Sequence, residues 1–167
     1  MVSTEDVKRL REESGAGVMD AKRALEDAGG DFGKAREILR EKGIAAAAKR
    51  SERATGQGVV EAYIHGQGRI GSMVELQCET DFVARTDAFK QLAKDVAMQV
   101  AAMSPAALTP EEVPADAAGA PEENALMTQA FIRDGSKTIA DLVQETMAQT
   151  GENIRIARFS RFELGQG

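Results

Sequence analysis

The chain has 167 residues, a formal net charge of −6 at pH 7 and a sequence pI near 5.0. This acidic balance argues against general nucleic-acid binding, which needs a basic face for phosphates. One cysteine (Cys78) excludes an intrachain disulfide framework and multi-cysteine zinc sites, and one histidine (His65) excludes histidine-rich metal sites.

No apolar run approaches the roughly 18–20 residues of a membrane span. The start, Met-Val-Ser-Thr-Glu-Asp, lacks the basic and apolar regions of a signal peptide. The expectation is a soluble cytoplasmic protein with no metal, no cofactor, no membrane contact and no direct nucleic-acid contact. Residues 1–55 carry 12 Lys+Arg against 11 Asp+Glu, and the remainder carries 9 against 16. That asymmetry suggests two parts with different surroundings.

Taken in chain order, the first part reads as three short helices. Ser3-Thr4-Glu5-Asp6 offers cap oxygens followed by first-turn acids, and Val7, Leu10 and Arg11 follow at helical spacing. Gly15-Ala16-Gly17 breaks the chain. A second helix is predicted over about Val18–Ala28, with Met19, Ala24 and Leu25 facing inward. Gly29-Gly30 stops it and Asp31 caps the next. A third helix carries Phe32, Ala35, Ile38 and Leu39 and ends at Gly43. Ile44–Arg53 has strong helix propensity but no apolar stripe, and reads as a helical linker.

The pattern then becomes β-like. Val59–Ile64 and Ile70–Cys78 flank the glycine-rich turn His65-Gly66-Gln67-Gly68, a hairpin signal. A helix follows over about Asp87–Met103, with Phe89, Leu92, Val96 and Val100 on one face. Residues 104–121 hold all four prolines and no Lys or Arg, and read as an acidic surface loop. Two more helices are predicted, over Pro121–Arg133 and Lys137–Thr150. Asn153–Leu164 alternates Ile154 and Ile156, then Phe159 and Phe162, as a third strand. The fold class is α+β: a three-helix module with a helical linker (1–53), then a core domain (54–167) with a three-stranded antiparallel sheet packed by helices.

Motifs with chemical associations have plain readings here. Gly66-x-Gly68-x-x-Gly71 matches a dinucleotide-binding pattern, but Ser72–Leu76 after it is strand-like, whereas that fingerprint needs a helix N-terminus for the pyrophosphate. Asp31-Phe32-Gly33 sits at a helix start and reads as a cap followed by a core aromatic. Cys78 lies in a strand run among Glu75, Glu79 and Asp81, where a buried thiol is expected rather than a thiolate nucleophile. His65 reads as a turn residue. The stretch Glu75–Arg85 has two readings: a helix cap at Thr80 or Asp81 with a core Phe82, or an exposed aromatic anchor beside an acid, as at binding hot spots. Composition does not choose between them.

Two long motifs resemble the elongation factor Ts family. The first is Leu10–Leu25 (Leu-Arg-Glu-Glu-Ser-Gly-Ala-Gly-Val-Met-Asp-Ala-Lys-Arg-Ala-Leu), and the second is Glu75–Arg85 with its Thr80-Asp81-Phe82-Val83. Gly151–Ile156 resembles the family's late strand. The resemblance covers essentially the whole chain. It implies a ubiquitin-associated-like three-helix module followed by the family's core, and a guanine-nucleotide exchange factor that makes or breaks no covalent bond. The implied partner is elongation factor Tu, GDP-bound and nucleotide-free. Phe82 would enter the partner's nucleotide-binding domain with Asp81 hydrogen-bonding beside it, flanked by Thr80 and Val83. Arg11, Val18 and Met19 match positions that touch the same domain, and His65 and Gly66 match a turn facing another. Long family members carry two core subdomains. This chain has room for one, like the short form in which a homodimer supplies the second and gives a 2:2 complex. Ala21 replaces a cysteine of some members, and Val18 a methionine. The competing reading is an adaptor that binds helical or ubiquitin-like ligands through the N-terminal module. A weaker third is an enzyme using Cys78 or His65.

Overall fold

Ser3 starts the first helix because its backbone and Asp6's each find a side-chain partner. Ser3 Oγ accepts from Asp6 N at 3.1 Å, and Ser3 N donates to Asp6 Oδ2 at 3.2 Å. The computed structural model describes residues 2–167. In it, α1 runs Thr4–Ser14 and stops at Gly15 in the left-handed conformation (φ 67°). Helix α2 spans Val18–Asp27, and α3 spans Phe32–Arg50 from the Asp31 cap, whose carboxylate accepts from Lys34 N at 3.0 Å. Their core is Val7, Leu10, Ala21, Ala24, Leu25, Ala35 and Leu39, with Phe32 and Ile38 packed against it. Small alanines on α2 and α3 let the backbones approach closely, which suits an aromatic-poor sequence.

Two expectations need correction here. Met19 does not face inward: it is 66% exposed. The buried stripe of α2 is Ala21, Ala24 and Leu25, and a residue two before Ala21 lies about 200° around a helix with 3.6 residues per turn. Nor does the third helix end at Gly43. It continues to Arg50, because a single interior glycine costs only about 1 kcal/mol and Ala45–Ala48 carry the helix on.

Contacts divide the chain into two units, 1–54 with 144–153, and 55–143 with 154–167. In the first, the segment 144–153 meets the end of α3. Arg50 Nη1 donates to Met147 O at 3.2 Å, and Asn153 Nδ2 donates to Arg53 O at 2.9 Å.

In the second unit β1 (Gln57–His65) pairs antiparallel with β2 (Ile70–Cys78). The last strand, Ile154–Glu163, pairs antiparallel with the other edge of β2. Register shifts between Glu75 and Leu76, which leaves Ala157 as the extra residue of a bulge. Ser72, Val74, Leu76 and Cys78 alternate onto a buried face. Helix α5 (Asp87–Met103), capped by Thr86, covers it with Phe89, Leu92, Val96 and Val100. Two hydrogen bonds tie sheet to helix: Ser72 Oγ to Ala97 O at 2.6 Å, and Arg161 Nε to Ala101 O at 3.0 Å. Between β2 and α5 lies the one-turn helix α4 (Asp81–Ala84). Gly58 opposes Gln77, and a Cβ there would lie 2.0 Å from Leu76 O, so only glycine fits.

The helix predicted over Pro121–Arg133 is replaced by a single turn, α6 (Pro121–Asn124), a 3₁₀ turn at Leu126–Thr128 and a small hairpin. The hairpin pairs β3 (Ala130–Phe131) with β4 (Asp134–Thr138). Tertiary pairing overrides local propensity: Ala106 N donates to Asn124 O at 2.8 Å and Leu126 N to Ala107 O at 2.9 Å, taking backbone groups a helix would use. Buried Gln99 holds the hairpin, donating to Ala130 O and accepting from Ile132 N, each at 3.0 Å. The next helix, α7, therefore starts at Ile139, not Lys137, and runs to Thr150; the last strand is β5.

Candidate functional site

The segment after β2 is built from a cap outward. Thr80 Oγ1 accepts from Val83 N at 3.3 Å, and the Cys78 thiol donates to Thr80 O at 3.1 Å. Val83 and Ala84 are buried, which fixes the rotation of this one-turn helix. The opposite side must then face solvent, and Phe82 lies there, 78% exposed. The two readings of Glu75–Arg85 thus resolve: the cap is real, and the aromatic is not core. Asp81 beside it is paired with Arg85, Oδ2 to Nη2 at 2.8 Å. Arg85 is a residue the sequence reading did not single out, although its i,i+4 spacing from Asp81 was a legible signal.

Cys78 is fully buried in the sheet and lies under this corner. Among the described residues, no group of three or more His, Cys, Asp or Glu is arranged to hold a metal ion. No helix among them is long and apolar enough to cross a membrane.

The hairpin turn occupies the other end of β2. Gly66, Gln67 and Gly68 all have positive φ (59°, 58° and 85°), and Arg69 N donates to His65 O at 3.1 Å. The glycines are therefore turn glycines, and Gly71 is already in the strand. His65 is exposed and hydrogen-bonded through Nδ1 to Tyr63 Oη at 3.0 Å. The nine residues of β2 separate this turn from Phe82, roughly 30 Å at the rise of a strand. The structure does not bring these two groups together.

In the helical unit Arg11 lies in the last turn of α1, while Val18 and Met19 open α2, on either side of the Gly15–Gly17 loop. All three are exposed, Val18 by 54%.

A further surface was missed in the sequence. The outer face of the sheet aligns Ile64, Gly71 and Phe162 in one row and Ala62, Met73 and Ser160 in the next, with Val60 and Leu164 at its margins. Val60, Ile64, Met73, Phe162 and Leu164 are exposed. The three-residue step from Phe159 to Phe162 was the available signal, since in an alternating strand it puts the two rings on opposite faces. Further along the same face, Arg158 pairs with Glu75 at 3.1 Å.

Comparisons with known proteins return one family. A family model described as "Elongation factor TS" matches residues 33–122. Elongation factor Ts of Carboxydothermus hydrogenoformans is 48% identical over 197 aligned positions, covering 100% of this chain and 91% of that protein. Elongation factor Ts of Thermoanaerobacter sp. is 47% identical, covering 100% of this chain and 97% of that protein. Elongation factor Ts of Thermotoga petrophila is 44% identical, covering 99% and 98%. The aligned span exceeds the 167 residues of this chain, so these relatives carry residues that it lacks. The class these matches define is that of the translation elongation factors. Within it, the chain belongs to the elongation factor Ts family.

Proposed function

We propose that the chain is a guanine-nucleotide exchange factor for elongation factor Tu, and that Phe82 is its principal lever. The observation that carries this is the solvent-facing Phe82, on a one-turn helix anchored by Thr80, Val83 and Ala84, with Asp81 beside it. A large apolar ring presented to water from an anchored backbone is poised to enter a pocket, with the backbone already ordered. Inserted into the partner's nucleotide-binding domain, it displaces elements that hold magnesium and phosphate. GDP then loses contacts and leaves, and GTP binds. Binding of factor and of nucleotide must oppose each other equally, and a coupling of about 4 kcal/mol corresponds to roughly a thousandfold in affinity.

Arg11, Val18 and Met19 form a second contact with the same domain. The three helices are read as a ubiquitin-associated-like module. His65 and Gly66 contact a different partner domain.

We further read the working form as a homodimer. A second copy covers the apolar outer face of the sheet, where Ile64, Met73 and Phe162 lie open to water. Monomers rarely leave such a patch uncovered. The alignment to the Thermoanaerobacter relative spans 197 positions against the 167 residues of this chain, an excess of about 30 and too little for a second core of the size of residues 54–167. The wide separation of Phe82 from the His65 turn fits a 2:2 complex, in which each protomer offers its ring to one partner molecule and its turn to the other.

The test is direct. Elongation factor Tu is loaded with fluorescent GDP and mixed with this protein and excess unlabelled GDP. Release accelerates catalytically. No acceleration at micromolar protein overturns the reading, and binding without acceleration favours the adaptor.

A further inference from the structure

Tyr63 and His65 are the only tyrosine and the only histidine of the chain, and they are paired with each other. They sit two residues apart on one face of β1, at its end. Their rings stack with centroids 5.9 Å apart and planes 23° from parallel, and Tyr63 Oη lies 3.0 Å from His65 Nδ1. Tyr63 is half-buried opposite Ser72, whereas His65 is exposed opposite Ile70. An exposed imidazole at a strand end ordinarily samples several rotamers and, when neutral, two tautomers. Here the phenol holds both choices.

The direction of the bond follows from chemistry. A phenol O–H is a stronger donor than a neutral imidazole N–H, and an imidazole nitrogen is a stronger acceptor than a phenol oxygen. Tyr63 therefore donates and Nδ1 accepts, which leaves the ring proton on Nε2. We infer that Tyr63 is a positioning residue for the partner contact. It fixes the ring and tautomer of His65 so that the turn presents an Nε2–H donor to a carbonyl or carboxylate oxygen of the bound protein. This rests on the reading of the His65–Gly66 turn as a partner contact. The backbone supports a fixed presentation, because the three positive-φ residues after His65 and the Arg69-to-His65 hydrogen bond close the turn tightly. With backbone and ring both held, less ordering remains to be done on binding.

The test uses Tyr63→Phe, which keeps the stacked ring and removes the hydroxyl. Since the chain has one histidine, its ring nitrogens give a single set of NMR signals. The wild type shows the Nε2–H tautomer, and Tyr63→Phe shows a mixture. In the exchange assay Tyr63→Phe lowers sub-saturating activity about threefold to tenfold, the effect of one ordinary hydrogen bond. His65→Ala loses at least as much, and Tyr63→Phe adds nothing in the His65→Ala background. An Nδ1–H tautomer in the wild type, an unchanged tautomer in Tyr63→Phe, or additive losses in the double variant overturn the inference. If instead His65→Ala exchanges at the full rate while the wild-type tautomer is as expected, the turn is no partner contact. The positioning role then falls with the reading beneath it, and the ring pair stands.

Discussion

Phe82 shows how little of a residue's surroundings its identity determines. A cap at Thr80 or Asp81 was legible, because a hydroxyl before an acid and an apolar run is a standard helix start. Which side of a one-turn helix faces water was not legible, because Val83 and Ala84 decide it by packing into the core. Met19 was misjudged for a related reason: in a short helix the apolar stripe is defined by few residues, and Ala21, Ala24 and Leu25 outvote a longer neighbour. Exposure makes a sharp prediction for Phe82. Phe82→Ala removes a side chain that touches little, so stability changes by no more than about 0.5 kcal/mol. Exchange activity falls by at least about 30-fold, the equivalent of a 2 kcal/mol hot spot. A thermal melt and the fluorescent-GDP assay read both quantities. A variant that loses its fold would place Phe82 in a core after all.

Among the elements, the helices of the first unit are held at their ends and edges by exposed carboxylates. The Ser3 hydroxyl holds the Asp6 carboxyl below its ordinary value of 3.8. Arg9, and then Arg36, holds Glu13 below 4.5, and Arg40 does the same for Glu37. The backbone N–H of Lys34 lowers Asp31. Each group binds its proton less readily folded than unfolded. Its contribution is therefore present above 4.5 for Glu and 3.8 for Asp, and is lost as pH falls through the lower folded values. Thermal unfolding followed by circular dichroism should show a melting temperature that drops on acidification through this window, and drops less in Asp6→Asn. A melting temperature unchanged by acid would contradict the sign. Helix α5 was readable almost to the residue because cap, apolar spacing and length all agree. The stretch 121–133 was not, because Glu-Glu-Asn-Ala-Leu-Met favours helix locally while residues 106–107 and the hairpin turning at Ile132-Arg133 claim its backbone.

For the whole molecule, the apolar outer face of the sheet carries a prediction about assembly. Light scattering at working concentration should give about twice 17.8 kDa. Phe162→Glu or Met73→Glu should shift the mass toward the monomer with the melt preserved, since both side chains project into water from the outer sheet face. A wild-type mass near 17.8 kDa would refute the dimer. The α+β architecture and the sheet were legible from periodicity. The outer face was not, because an apolar residue on a strand marks burial without saying against what.

The return of 144–153 to the first unit has a consequence for synthesis. The core of the three helices needs nothing beyond Leu39, so it can close early as the chain emerges. The far end of α3 cannot finish then. Arg50 waits for the Met147 carbonyl, and the carbonyls of Ser51 and Arg53 wait for the Asn153 side chain, about a hundred residues later in sequence. The last turn of α3 is thus a latch fastened only when nearly the whole polypeptide has been made, and a truncated chain would carry the helices without it.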